Sequence, residues 1–101
     1  MENRAENARK MAELLKLLAN ENRLLILCAL IQEPRTVGKI GEFVPHISKS
    51  ALSQHLISMK RAGILWSDKM AQNVTYSIAD TRVGEVIATL KKYYCGGNDI
   101  I

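Results

Sequence analysis

The chain has 101 residues, with 14 Lys and Arg against 10 Asp and Glu, for a formal net charge of +4. A chain this short forms one domain with a modest core, which a second copy would enlarge. The mild positive charge suits a nucleic-acid partner without requiring one. The charged start MENRAENARK has no apolar targeting segment, and the longest apolar run, Leu24 to Ile31, is too short to span a bilayer. Two cysteines do not make a disulfide framework, so reduced thiols in a cytoplasmic protein free of membranes are expected.

Met11, Leu14, Leu15 and Leu18 recur at helical spacing and predict an amphipathic helix over about residues 4–19. Asn20 can cap a second helix, whose stretch Leu24–Ile31 is apolar all round and therefore expected to be buried on every side. Pro34 ends it. Thr36 can cap a short third helix carrying Val37, Ile40 and Val44. Its Gly38 and Gly41 weaken it intrinsically, so packing must hold it. Pro45-His46-Ile47 reads as a turn. Ser48 then caps a fourth helix with Ala51, Leu52, Leu56 and Met59 inward, stopped by Gly63.

After Gly63 the period changes from helical to alternating. Ile64-Leu65-Trp66 reads as a strand, Asp68 to Asn73 as a polar tip, and Val74, Tyr76 and Ile78 as the returning strand. Asp80 can cap a last helix with Val83, Val86, Ile87, Leu90 and Tyr94 on one face, closed by Gly96-Gly97. The predicted fold is mainly α with a β-hairpin wing: one winged helix-turn-helix domain over residues 1–101. The helix-turn-helix falls at about 36–62 and the wing at about 64–78.

The stretch SALSQHLISMKRAG, residues 50–63, contains no Cys, Asp or Glu, which leaves little for catalysis or metal binding. Ser50, Ser53, Gln54, Ile57 and Arg61 follow helical spacing along one outward face. Gln suits bidentate contact with adenine, and Ser suits several base edges. Lys49, Lys60 and Arg61 suit phosphates, as do Ser48 and the amides at the helix start. From Ser48 to Ser67 no carboxylate is present to repel a phosphate. Lys69 and Gln72 at the hairpin tip would meet flanking backbone or minor groove. A solvated helix face is the plain alternative; the turn before the helix and the hairpin after it argue against it.

SALSQHLISMKRAGIL followed by QNVTYSI resembles the ArsR/SmtB family of bacterial winged-helix repressors, and LLKLLANENRLLILCAL resembles that family's first two helices. The resemblance covers about residues 10–95. It implies a homodimer built on the first and last helices, about 4–19 and 81–95, for which Leu14, Leu18, Ile87, Leu90 and Tyr94 supply the apolar face. It implies that the fourth helix recognises double-stranded operator DNA with an imperfect inverted repeat, and that an inducer releases it. The turn VPHIS is about a residue longer than usual for the family, and the wing tip KMAQN lacks the glycine often found there.

Many members of that family sense metals, and such sites need clustered ligands. TVGKIGEFV holds no Cys pair, Arg82 follows Asp80, and no His or Glu lies between Leu90 and Cys95. Zinc takes about four N, S or O ligands. Of the two histidines, His55 follows Gln54 on the reading helix and is expected to be packed or DNA-facing. No metal site and no cofactor are expected.

Cys28 and Cys95 remain. Within LLILCAL, Cys28 alone reads as a small core residue, whereas Cys95 lies beside glycines with Lys91 and Lys92 a turn earlier. A Cys on the second helix paired with one in a Y-C-G ending resembles the persulfide-responsive branch of the family, the SqrR/BigR type. That resemblance implies that reactive sulfur species join Cys28 and Cys95 through a bridge of several sulfurs, releasing the repressor. A soft-metal sensor using both thiolates is an alternative, as is an activator that displaces another DNA-binding protein. Outside this class stands a protein-interaction module on the same scaffold, against which the polar, carboxylate-free reading face argues. A thiol oxidoreductase lacks its C-x-x-C, so an enzyme is not expected.

Overall fold

The structure, a computed structural model, describes residues 3–95, less the side chain of Cys95. The elements run α1 (Arg4–Leu18), α2 (Glu21–Gln32), β1 (Arg35–Thr36), α3 (Val37–Phe43), α4 (Lys49–Arg61), β2 (Leu65–Met70), β3 (Asn73–Ile78) and α5 (Thr81–Cys95). All five predicted helices and the hairpin are present in the predicted order. The Gly96-Gly97 stop lies outside the described residues.

The polar side chains expected at helix starts cap them. Asn20 Oδ1 accepts from the amides of Asn22 and Arg23, Thr36 Oγ1 from Lys39, and Ser48 Oγ from Ala51. Each satisfies backbone donors that the first helical turn leaves without a partner. Asp80 Oδ1 accepts from the amide of Arg82 at 2.9 Å, and its carboxylate also pairs with the Arg82 guanidinium. The hydrogen bond from the Arg82 side chain is the main cause holding the Asp80 pKa below its ordinary value. At the other end of α4, Gly63 takes a φ of 81°, and the amides of Gly63 and Ile64 close back on the Lys60 and Met59 carbonyls.

The core forms around α2. Ile26, Leu27, Cys28, Ala29 and Leu30 are all buried, as an all-apolar helix requires. Ile40 and Val44, Leu52, Leu56 and Met59, Ile64 and Leu65, and Val83 and Ile87 pack around it from the surrounding elements. By contrast, α1 has one buried residue, Leu18, with Leu14 and Leu17 packed against the cluster.

The hairpin differs from its predicted form in two ways. Its strands run to Met70 and from Asn73, with Met70 paired to Asn73, so the tip is only Ala71-Gln72. Asp68, Lys69 and Met70 are all exposed, which erases the alternation that would have marked them as strand. Ala71 carries a positive φ of 56°, the place in this short turn that a glycine would fill without strain. A third strand is also present. Arg35-Thr36 pairs antiparallel with Tyr76-Thr75, giving the sheet order β1-β3-β2. Two residues are too few to show a period of two. Arg35 is further held by a hydrogen bond to the Ala29 carbonyl and by stacking 4.8 Å from the centroid of Phe43.

Candidate nucleic-acid interface and thiol site

The inward stripe of α4, Leu52, Leu56 and Met59, leaves the opposite face to solvent. Ser50, Ser53, Gln54, Ile57 and Arg61 are exposed there together, with Lys49 at the start of the helix and Lys60 near its end. The fold thus brings five of the expected reading residues onto one surface. Ile57, 44% exposed, gives that surface an apolar point suited to a thymine methyl group. Ser48 accepts the Ala51 amide at 3.0 Å, and the Lys49 and Ser50 amides, in the first turn, have no acceptor within the helix. Those amides and the flanking bases favour an anion at this end.

His55 stands apart from that surface. It is half-buried, and its Nδ1 accepts from Arg23 Nε at 3.1 Å, which directs the ring toward α2. Burial first, and the Arg23 charge second, hold its pKa below the ordinary 6.5. Lys69 lies within strand β2, opposite Val74, and Gln72 sits in the turn; both are exposed at the far end of the wing.

Cys28 is buried at the contact of α2 with α5. It lines a cavity of about 530 Å³ together with Glu21, Leu24 and Leu25 of α2 and Ile87, Leu90, Lys91 and Tyr94 of α5. The walls are almost wholly apolar, and Glu21 and Lys91 are the charged lining residues. Cys95 is the last residue of α5, four positions after Lys91 and so at the next turn of the same helix face. Its side chain lies outside the described residues. Among the described residues no group of three or more His, Cys, Asp or Glu side chains is placed to hold a metal ion. No helix among them is long and apolar enough to cross a membrane.

The residues expected to form a dimer face divide into two sets. Leu18 and Ile87 are 4% and 2% exposed and belong to this chain's own core, so they correct that expectation. Leu14 is half-buried against the core. Leu90 and Tyr94 are exposed as expected. Met11 and Leu15 on α1 and Val86 and Tyr93 on α5, outside that expected set, are exposed as well. Spacing marks the apolar side of a helix but does not divide it between the chain's own core and a partner.

Comparison with known proteins agrees with this fold. The profile of the family described as "Bacterial regulatory protein, arsR family" matches residues 20–67, from the α2 cap into β2. The transcriptional activator HlyU of Vibrio cholerae is 41% identical over 93 residues, covering 92% of this chain and 85% of the relative. The regulator YgaV of Escherichia coli is 42% identical over 89 residues, covering 88% and 90%. A biofilm growth-associated repressor of Agrobacterium fabrum is 34% identical over 90 residues, covering 89% and 76%. The solved structure of reduced HlyU superposes with a TM-score of 0.85 at 41% identity, over 90% of this chain and 95% of that one. This chain belongs to the arsR family of bacterial regulatory proteins, and it is a winged-helix, DNA-binding regulator of transcription rather than an enzyme.

Proposed function

We propose that the protein is a homodimeric repressor that reads an inverted-repeat operator with α4 and leaves it when reactive sulfur modifies Cys28 and Cys95. The observation that carries the reading is the place of Cys28. It is buried where α2 meets the last turns of α5, in a cavity whose wall includes Lys91, one turn before Cys95. A covalent link there would tie the end of α5 to the central helix. The regulator would act in the cytoplasm, where the DNA is.

The sulfur chemistry balances without a metal or cofactor. Thiolate is the attacking form, and Cys95 at the end of α5 is the first nucleophile. It takes a sulfane sulfur from a persulfide donor, which leaves as a thiol. When Cys28 is charged in the same way, the two persulfides condense to a trisulfide and release hydrogen sulfide. Two protein thiols thereby lose two hydrogens and gain one bridging sulfur. A direct disulfide needs Cα atoms within about 7 Å, whereas a longer bridge tolerates a wider gap. The relatives include both a named activator and a named repressor. Release from DNA serves either outcome, since an activator can act by displacing another DNA-binding protein.

Dimerisation follows from the exposed apolar side chains of the two terminal helices. Met11 and Leu15 of α1 and Val86, Leu90, Tyr93 and Tyr94 of α5 are all exposed, apolar surface that a second copy would cover. Half-sites lie about one helical turn apart, so a shift of α5 that alters the spacing of the two α4 helices lowers affinity.

Three outcomes are expected. Gln54→Ala loses roughly 1–3 kcal/mol of affinity for the operator and little for random duplex in a binding titration; equal losses on both mean that Gln54 reads no base. Leu90→Asp gives monomers in sedimentation and abolishes operator binding, and an intact dimer would refute this interface. Finally, a persulfide donor adds whole sulfur atoms with loss of two hydrogens by intact mass and weakens operator binding at least about tenfold, which needs about 1.4 kcal/mol of coupling. Cys28→Ser and Cys95→Ser each keep DNA binding and lose the response. Wild type still bound after full modification, or released by a stoichiometric soft metal and not by persulfide, counts against the sulfur switch.

A further inference from the structure

The first turn of α2 carries a polar cluster that neither the exposed α4 face nor the thiol pair uses. Arg23 donates from Nε to His55 Nδ1 at 3.1 Å and from Nη2 to Ser58 Oγ at 3.2 Å, both on α4. From Nη1 it donates to the Leu17 carbonyl at the end of α1, at 2.9 Å. Next to it, Asn22 Oδ1 lies 2.8 Å from His46 Nε2, in the turn that precedes α4. The turn that presents both side chains is itself fixed by the Asn20 cap. The chain's two histidines, one before α4 and one on it, thus both bond to the first turn of α2.

We propose that Arg23 is a positioning residue: its guanidinium ties α4, through His55 and Ser58, to α2 and the end of α1, and so sets operator affinity without touching DNA. This rests on α4 being the reading helix. The physical reason is directional. Leu52, Leu56 and Met59 anchor α4 by apolar burial, which is non-directional and tolerates a small rotation or slide of the helix. A guanidinium fork has fixed donor directions, and three acceptors from two helices satisfy it in one arrangement. His55 and Ser58 are three residues apart on α4, so both bonds act on one side of the helix while Ser53, Gln54 and Ile57 are exposed. Bidentate base contacts need that setting held closely.

The link requires His55 to be neutral, with Nδ1 free of its proton, because Arg23 supplies the hydrogen. The charged group facing the ring is Arg23 itself. On its own helix Ser58 is uncharged, and α1 contributes the neutral Leu17 carbonyl to the same guanidinium. Protonation of His55 removes the acceptor and sets two cations against each other. Burial and Arg23 lower the His55 pKa, so the bond is intact above the ordinary value of 6.5 and is lost as pH falls through the lowered one.

The test compares operator and random-duplex affinity of the wild type, Arg23→Met and His55→Gln between about pH 8 and about pH 5. Circular dichroism and melting establish that each variant is folded. Gln can accept from Arg23 through its amide oxygen and does not titrate. Arg23→Met is expected to bind operator on the order of tenfold more weakly, with a smaller change on random duplex. Its His55 imidazole, followed by NMR, should titrate closer to 6.5. Wild-type affinity should fall toward acid more steeply than that of His55→Gln, whatever the variant's absolute affinity. A folded Arg23→Met with wild-type operator affinity overturns the positioning role. So do identical pH profiles for wild type and His55→Gln while NMR shows the wild-type His55 imidazole taking up its proton within that range, a comparison that stands even if Arg23→Met does not fold. Equal losses for Gln54→Ala on operator and random duplex would fault the reading face instead. Arg23→Met at wild-type affinity beside a specific Gln54→Ala loss overturns the positioning role alone.

Discussion

Burial of α2 is the constraint on which the rest of the structure depends. Ile26 to Leu30 form an unbroken buried run, so the elements around that helix have to supply the apolar surface that covers it. The short α3, with two glycines in seven residues, has little intrinsic helix stability and holds its shape through Ile40 and Val44 against this core. The inward stripe of α4 is bound in the same way, and its polar opposite face is then left outward. Hydrophobic packing thus selects which side of α4 is left exposed, the side proposed to read a duplex, without any base contact being involved.

The same helix also links the two regions of interest. Cys28 and Arg23 are five residues apart on α2, about 7.5 Å along its axis. The thiol faces the cavity beneath α5, while the guanidinium reaches α4 and α1. In the proposed switch, a displacement of α5 relative to α2 would act on the element that also holds α4. Transmission of this kind needs two discrete packings rather than a continuous bend, because a close-packed core resists gradual deformation.

Much of this architecture was legible in the residues because it rests on local rules. Asn20, Thr36, Ser48 and Asp80 are caps whose chemistry is written within three positions of the helix they begin. The apolar run of α2 announced a buried helix, and Gly63 announced the end of α4. What sequence did not reveal was non-local. Arg35-Thr36 becomes a strand only because β3 passes beside it. Leu18 and Ile87 read as a partner face because periodicity carries no information about depth, and the structure places both in the core. His55 lies at a spacing compatible with the groove, and only the guanidinium from α2, 32 residues earlier, turns it inward. No pattern along the chain joins Arg23 to His55 and Ser58; a polar residue near the start of an otherwise apolar helix was the available hint.

The exposed α4 surface, with its bases at either end, is proposed to dock on the phosphates of a duplex. The salt dependence of operator affinity tests this most directly. In a dimer, two copies of Lys49, Lys60, Arg61 and Lys69 would make about 6–8 phosphate contacts, so log affinity against log salt should fall with a slope of about −5 to −7. Replacing Lys49 and Arg61 by Gln should make that slope shallower by roughly one unit for each contact removed. A flat salt response, or a steep one that the two replacements leave unchanged, would contradict the assignment of α4 as the DNA-facing element.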